Sequence, residues 1–147
     1  MEVLIDNRQS SHRLNLGTLK RRAEIILNAL DCHEAELSIV ILDDLQISAI
    51  NSEYRGKIGP TNVIAFAMRE GAFGEISPHI LGDVIISSET AHRESVDVGQ
   101  TLEVRLTELL IHGILHLLGY DHEKSPEEEI RMEEKSRELM ATIPAQA

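Results

Sequence analysis

Residues 101–118 constrain the fold more than any other stretch of the chain. Leu102, Leu106, Leu109, Leu110, Gly113 and Leu117 recur there at helical spacing and draw a broad apolar stripe. A helix with so wide a stripe has to be covered by other elements. Gly119 follows, where a chain leaving a helix needs positive φ. Ser125, Pro126 and Glu128 then supply a cap, a first-turn proline and a capping-box carboxylate for a final helix. That helix is expected to reach about residue 141, with Ile130 and Met140 facing inward. The chain has 147 residues, 42% of them hydrophobic, which suits one sizeable core and is too few for two ordinary ones. With aromatics at 3%, that core must be aliphatic.

The upstream half reads as alternating strands and helices. Residues 2–5 predict a short strand. Leu19, Ala23, Ile26, Leu27 and Leu30 predict a helix, capped by Thr18, with Lys20, Arg21 and Arg22 on its wet side. Residues 37–42 form a β-branched, nearly continuous apolar run, as in a strand covered on both faces. Asp44 is placed to cap a helix through Tyr54 that uses Leu45, Ile47 and Ile50 as core contacts. Gly56, Gly59 and Pro60 mark residues 55–62 as a loop, and a strand follows at 63–66. Residues 71–78 read as a second loop, before a strand around 84–86 and a helix capped by Ser87 or Ser88. The 96–99 stretch breaks the chain before the 101–118 helix, and residues 143–147 are expected to fray. No internal repeat is present. The order predicts an α+β fold, or a small mixed α/β layer: a single domain over residues 1–147, with a small mixed β-sheet packed with helices.

Three histidines stand out against this frame. His112 and His116 lie four apart on the long helix, so they share a face and are separated by roughly 6 Å along its axis. Gly119, Tyr120 and Asp121 turn the chain so that His122 can return as a third ligand. Neutral imidazoles suit a borderline-soft ion such as zinc, and three protein ligands leave a position open for water or substrate. His33, His79, His92 and His12 have no comparable local partners, although His79 lies in a loop able to approach the site.

Composition narrows the partners. The formal charge is −11, from 14 basic and 25 acidic residues, which argues against an extended, non-specific nucleic-acid surface but allows a local basic patch. Cys32 is the only cysteine, so no internal disulfide forms and metal ligation must rest on histidine or carboxylate. No signal segment is expected from residues 1–6, and no run approaches the roughly 18 apolar residues of a membrane span. A soluble cytoplasmic protein is expected.

The run His112-Gly113-Ile114-Leu115-His116-Leu117-Leu118-Gly119-Tyr120-Asp121-His122 resembles the YbeY family of endoribonucleases and rRNA maturation factors. The resemblance extends to Asn51-Ser52-Glu53-Tyr54-Arg55-Gly56-Lys57, to Pro60-Thr61-Asn62-Val63-Ile64-Ala65-Phe66, to Leu81-Gly82-Asp83-Val84-Ile85-Ile86-Ser87, and to the closing helix with Met132 and Glu133. These segments fall in matching order over roughly residues 1–142. The resemblance implies one zinc or other divalent ion on His112, His116 and His122. It also implies cleavage of single-stranded RNA, linked to the 3′ end of small-subunit rRNA, ribosome assembly and quality control. Arg55 matches the family's arginine important for RNA handling or catalysis. The chain departs from the family at Ile58 and Asn62, where acidic residues are common, and at Ala65, where serine is common.

On this reading Arg55 clamps phosphate through its planar fork and Lys57 adds a point charge. Asp121, beside a ligand, is placed to orient an imidazole or to transfer a proton, and Glu123 is adjacent too. Tyr120 either packs beneath the turn or stacks on a base. Two other readings compete. One is a metal-stabilised ribosome-assembly or RNA-binding factor with little nuclease activity. The other is a metallopeptidase, because the triad spacing is also similar to a metzincin metal-binding helix. The peptidase pattern puts a glutamate directly after the first histidine, and here that position is Gly113. Between Asp121 and Glu138 eight acidic residues oppose four basic ones. RNA is therefore expected from the Arg55–Lys57 side, aided by Lys20, Arg21 and Arg22.

Overall fold

The computed structural model describes residues 1–68 and 79–145, and the expected 71–78 loop and the last two residues of the tail lie outside them. The apolar run read as a doubly covered strand is β2 (Glu36–Leu42), and it sits inside a four-stranded sheet. Its neighbours are β1 (Glu2–Asn7) and β4 (Ile80–Ser87), both parallel to it. β3 (Val63–Ala67) closes the other edge, antiparallel to β4, giving the order β1-β2-β4-β3. The sheet is therefore mixed, as expected for a small α+β fold.

Alternation along the strands divides the apolar residues between the two faces. Leu37, Ile39, Ile41, Val84 and Ile86 join the main core with α1 (Leu16–Ala29) and α4 (Leu102–Leu117). Ile64, Ile85 and Leu42 form a smaller cluster on the opposite face with Ile47 of α2 (Asp44–Arg55). α3 (Ser88–Val98) and α5 (Pro126–Thr142) pack against α4. α4 is buried on most of its circumference, with Leu110, Ile111, Ile114 and Leu115 fully enclosed. Each such side chain contributes roughly 1.5–3 kcal/mol of burial, so this helix and its register are tightly fixed.

Several local expectations are corrected. Asn15, rather than Thr18, caps α1, its side chain accepting from the Thr18 N–H at 3.0 Å. Arg22 is not on the wet side. It is buried, donating to Thr107 Oγ1 at 2.6 Å and to the Glu103 carbonyl at 3.2 Å, so it is withdrawn from RNA. Asp43 caps α2 in a capping box with Gln46, and Leu45 is 81% exposed instead of being a core contact. The freed Asp44 ties α2 to α3, its carboxylate accepting from Ser87, Thr90 and Arg93 at 2.6, 2.6 and 2.7 Å. Burial would raise the Asp44 carboxyl, but these donors outweigh it and hold it below the usual carboxylate value. In α5 it is Met132 and Leu139 that are buried, while Ile130 is 54% exposed because the helix turns a different stripe to α4.

Candidate metal centre and cleft

α4 carries His112 and His116 on the stripe it does not give to the core, and both rings are half-buried. The rings are parallel to within 8°, with centroids 6.4 Å apart. After α4, Gly119 takes φ 97° and the Tyr120 N–H returns to the Leu115 carbonyl at 3.0 Å. This turn brings the His122 ring to 5.1 Å from that of His112. Ser125 then caps α5, accepting from the Glu128 N–H. Arg131 lies over the Tyr120 ring at 4.4 Å, so Tyr120 serves the turn.

The three histidines line one cleft of about 220 Å³ together with Arg55, Ala65, Phe66, Gly113 and Glu123. Arg55 is the last residue of α2 rather than part of the loop beyond it, and Gly56 at φ 63° ends the helix. Its guanidinium donates to Asn51 Oδ1 at 3.4 Å, and the buried Asn51 amide in turn donates to the Gly59 carbonyl at 2.9 Å. The helix end and the loop after it are thus pinned together, with β3 between Arg55 and α4. Lys57 is exposed and is not among the residues lining the cleft. Ile58 is fully exposed, so the departure there removes nothing from the cleft wall. Asn62 donates to both oxygens of Glu94 at 3.3 and 3.2 Å, whereas Ala65 contributes directly to the cleft.

Glu123 is the cleft residue that sequence reasoning undervalued. Its Oε1 lies 3.8 Å from His122 Nε2, and its only signal in the sequence is adjacency to the third histidine. The Asp121 carboxylate accepts from the Glu123 N–H at 2.9 Å, fixing the backbone of the turn. His79 is placed elsewhere, with Nε2 3.7 Å from Glu34.

Burial, reinforced by the neighbouring His122 and His116 and then by Arg105, pushes His112 down from 6.5 to about 4. It is therefore a neutral imidazole at pH 7, the form able to ligate a cation. Nδ1 of His116 and Nδ1 of His122 are buried without a hydrogen-bond partner among the described residues. The neutral His112 ring and the unsatisfied nitrogens of His116 and His122 form a donor set compatible with a transition-metal ion. Among the described residues, however, no group of three or more His, Cys, Asp or Glu side chains is already gathered as a ready-made ligand set.

The His112 environment has a measurable consequence. Between pH 6.5 and about 4 the unfolded chain binds the His112 proton while the folded chain does not. That residue therefore makes metal-free protein lose stability as pH falls through this window. An NMR titration of the His112 ring in metal-free protein should give a midpoint well below 6.5; a midpoint at 6.5 would contradict its burial.

Gly113 explains why the peptidase glutamate is missing. A Cβ there would lie 2.6 Å from Val84 Cγ1 and 3.0 Å from Cγ2. α4 rests on β4 through this glycine, so the position has no room for a side chain that moves protons.

The model of the family described as Endoribonuclease YbeY matches residues 4–144. Endoribonuclease YbeY of Geobacter sulfurreducens is 51% identical over 144 residues, covering 97% of this chain and 96% of that protein. The Geobacter metallireducens protein of the same description is 52% identical over 144 residues, with the same coverage. That of Aquifex aeolicus is 43% identical over 125 residues, covering 85% of this chain and 81% of its own. A solution structure of a Thermotoga maritima protein superposes with a TM-score of 0.67 over 95% of this chain and 87% of that one, and at 24% identity it supports the fold. With the histidine triad and Arg55 both inside the matched span, the chain belongs to the YbeY endoribonuclease family.

Proposed function

We propose that this protein is a metal-dependent endoribonuclease that hydrolyses single-stranded RNA at the cleft between α2 and α4. Its substrate on this reading is the 3′ end of small-subunit rRNA, in ribosome maturation and quality control in the cytoplasm. The observation that carries the proposal is the meeting of Arg55 and three imidazoles on one cleft, from elements far apart in sequence.

His112, His116 and His122 would hold one divalent ion, zinc by preference of the all-imidazole donor set. Such an ion, when bound, acidifies water and polarises a phosphate oxygen. The chain's own residues position the substrate. Arg55 is poised at the cleft mouth to grip a non-bridging phosphate oxygen, with Asn51 restraining its reach. Val63, Ala65 and Phe66 give the cleft an apolar wall that limits water. Glu123 is the carboxylate at hand to accept a proton from the attacking water, a role that Gly113 cannot take. Asp121, by ordering the turn, would keep His122 and Glu123 in place. Lys57, outside the cleft, would serve the incoming backbone as an exposed charge. RNA would then approach over the α2 end, away from the acidic faces of α5.

A second reading, an rRNA-binding assembly factor with little cleavage, is favoured by one observation: the triad is not closed as a ligand set. The Arg55→Ala variant separates the two. Loss of a charge-assisted contact made to the transition state should lower the single-turnover cleavage rate by roughly 100–1,000-fold. Under the binding reading the same variant weakens salt-sensitive RNA binding, and no metal-dependent product appears with either protein.

A further inference from the structure

The triad cleft, at about 220 Å³, is smaller than the roughly 300–1,000 Å³ usual for a small-molecule pocket. It has room for a reacting phosphate and its water, but not for the bases that flank them. A second and larger space, about 630 Å³, adjoins it and shares His112 and Val63 as the dividing wall. This groove runs between α4 and α5, towards Gln100 at the start of α4.

Its chemistry is of two kinds. Val104, Leu109 and Met140 supply aliphatic surface. Opposed to them is a continuous polar wall, in which Asn62 donates to Glu94, Arg105 meets Glu94 at 3.1 Å and Glu108 at 3.2 Å, and Gln100 donates to Glu108 at 3.3 Å. Arg105 and the two carboxylates together carry one negative charge, and the wall offers amide and carboxylate edges. Arg137 is different. It is exposed, lines the groove from α5, and has no carboxylate partner among the described residues. The α5 residues that line the groove are Ser136, Arg137 and Met140, with Glu133 one turn earlier on the same face.

We infer that this α4–α5 groove seats a nucleotide next to the scissile phosphate. Its base lies against the aliphatic surface with its polar edge on the Asn62–Gln100 wall, and its phosphate is met by Arg137. Unstacked bases of single-stranded RNA are read by hydrogen bonds to their edges, and a base taken out of its stack can be held between aromatic or apolar side chains. The groove adjoins the triad cleft across His112, close enough for one strand to reach both. The inference rests on the reading of the triad cleft as an RNA-cleaving site.

The test uses the whole protein and two independent readouts. Amide chemical shifts are followed during titration with each of the four nucleoside monophosphates and, separately, with inorganic phosphate. The nucleotides should shift Val104, Arg105, Ser136 and Arg137, and phosphate alone should leave Val104 and Arg105 in place. Arg137→Glu, at an exposed position that does not touch the core, should weaken nucleotide binding by about 10-fold or more, the usual worth of a charge-assisted contact. In cleavage of a single-stranded oligonucleotide the same variant should raise KM by a similar factor with little change in kcat, and Arg137→Lys should restore most of the loss. If wild-type protein cleaves RNA while Arg137→Glu has an unchanged KM and nucleotides shift only residues around Arg55, the groove assignment is overturned and the proposed activity stands. If nucleotides shift the groove but no cleavage is found under any metal, the activity fails and the groove remains a nucleotide site. Shifts that depend on protein concentration rather than nucleotide would make the groove a contact between copies, and would overturn the inference.

Discussion

Replacing His116 by alanine should abolish metal-dependent RNA cleavage while leaving the chain folded. A divalent ion at a hydrolytic site contributes several kcal/mol to the transition state, so its loss lowers the rate by about a thousand-fold or more. The fold should tolerate the change because His116 projects from the stripe of α4 that faces the cleft, and its Nδ1 makes no hydrogen bond among the described residues. Bound metal per chain, measured by mass spectrometry or calorimetry, should fall from one to near zero. His33→Ala provides the control: that ring is 61% exposed and lies outside the cleft, so metal content and cleavage should both be unchanged. Full activity in His116→Ala would remove the triad from the mechanism.

The second large effect concerns Gly113. A methyl group there would have to enter within 2.6 Å of a Val84 methyl carbon, and Val84 is fully buried and β-branched, so it cannot swing away. Alanine normally gains about 1 kcal/mol over glycine inside a helix. Here overpacking, at about 1–3 kcal/mol, should cancel or exceed that gain, so Gly113→Ala should be destabilised in urea denaturation. Gly113→Glu adds a buried carboxylate to the clash and should fail to reach the native state, rather than create a peptidase. Combining Gly113→Ala with Val84→Ala should recover part of the loss, because the two side chains compete for one space. A Gly113→Ala protein more stable than wild type would show that α4 does not rest on β4 as described.

These two positions show what the sequence could disclose. The triad was legible because its causes are local: helical spacing of His112 and His116, Gly119 as a stop, and a short turn to His122. The Ser125-Pro126 helix start was legible for the same reason. Gly113 reads from the sequence as a stripe position and as the absence of a glutamate, but the reason for the glycine is Val84, a contact made across the fold. Arg22 looked like a wet-side cation until Thr107 and Glu103, over eighty residues away, came against it. Asn15 and Thr18 are both good caps, and only the backbone's entry into α1 decides between them. Ile130 reads as an inward residue of the last helix, whereas docking on α4 selects Met132 and Leu139. The antiparallel edge position of β3, which brings Ala65 and Phe66 beside the histidines, is likewise a property of long-range pairing.

Single-turnover cleavage of a defined single-stranded rRNA precursor decides whether the triad cleft hydrolyses RNA through a bound ion. The protein is stripped of metal with a chelator and then reloaded with one equivalent of zinc or another divalent ion. The stripped protein should give no product, cleavage should return at one ion per chain, and His116→Ala should show no recovery. Cleavage that persists in the stripped protein and in His116→Ala, or tight RNA binding with no product under any metal, would contradict hydrolysis through a bound ion.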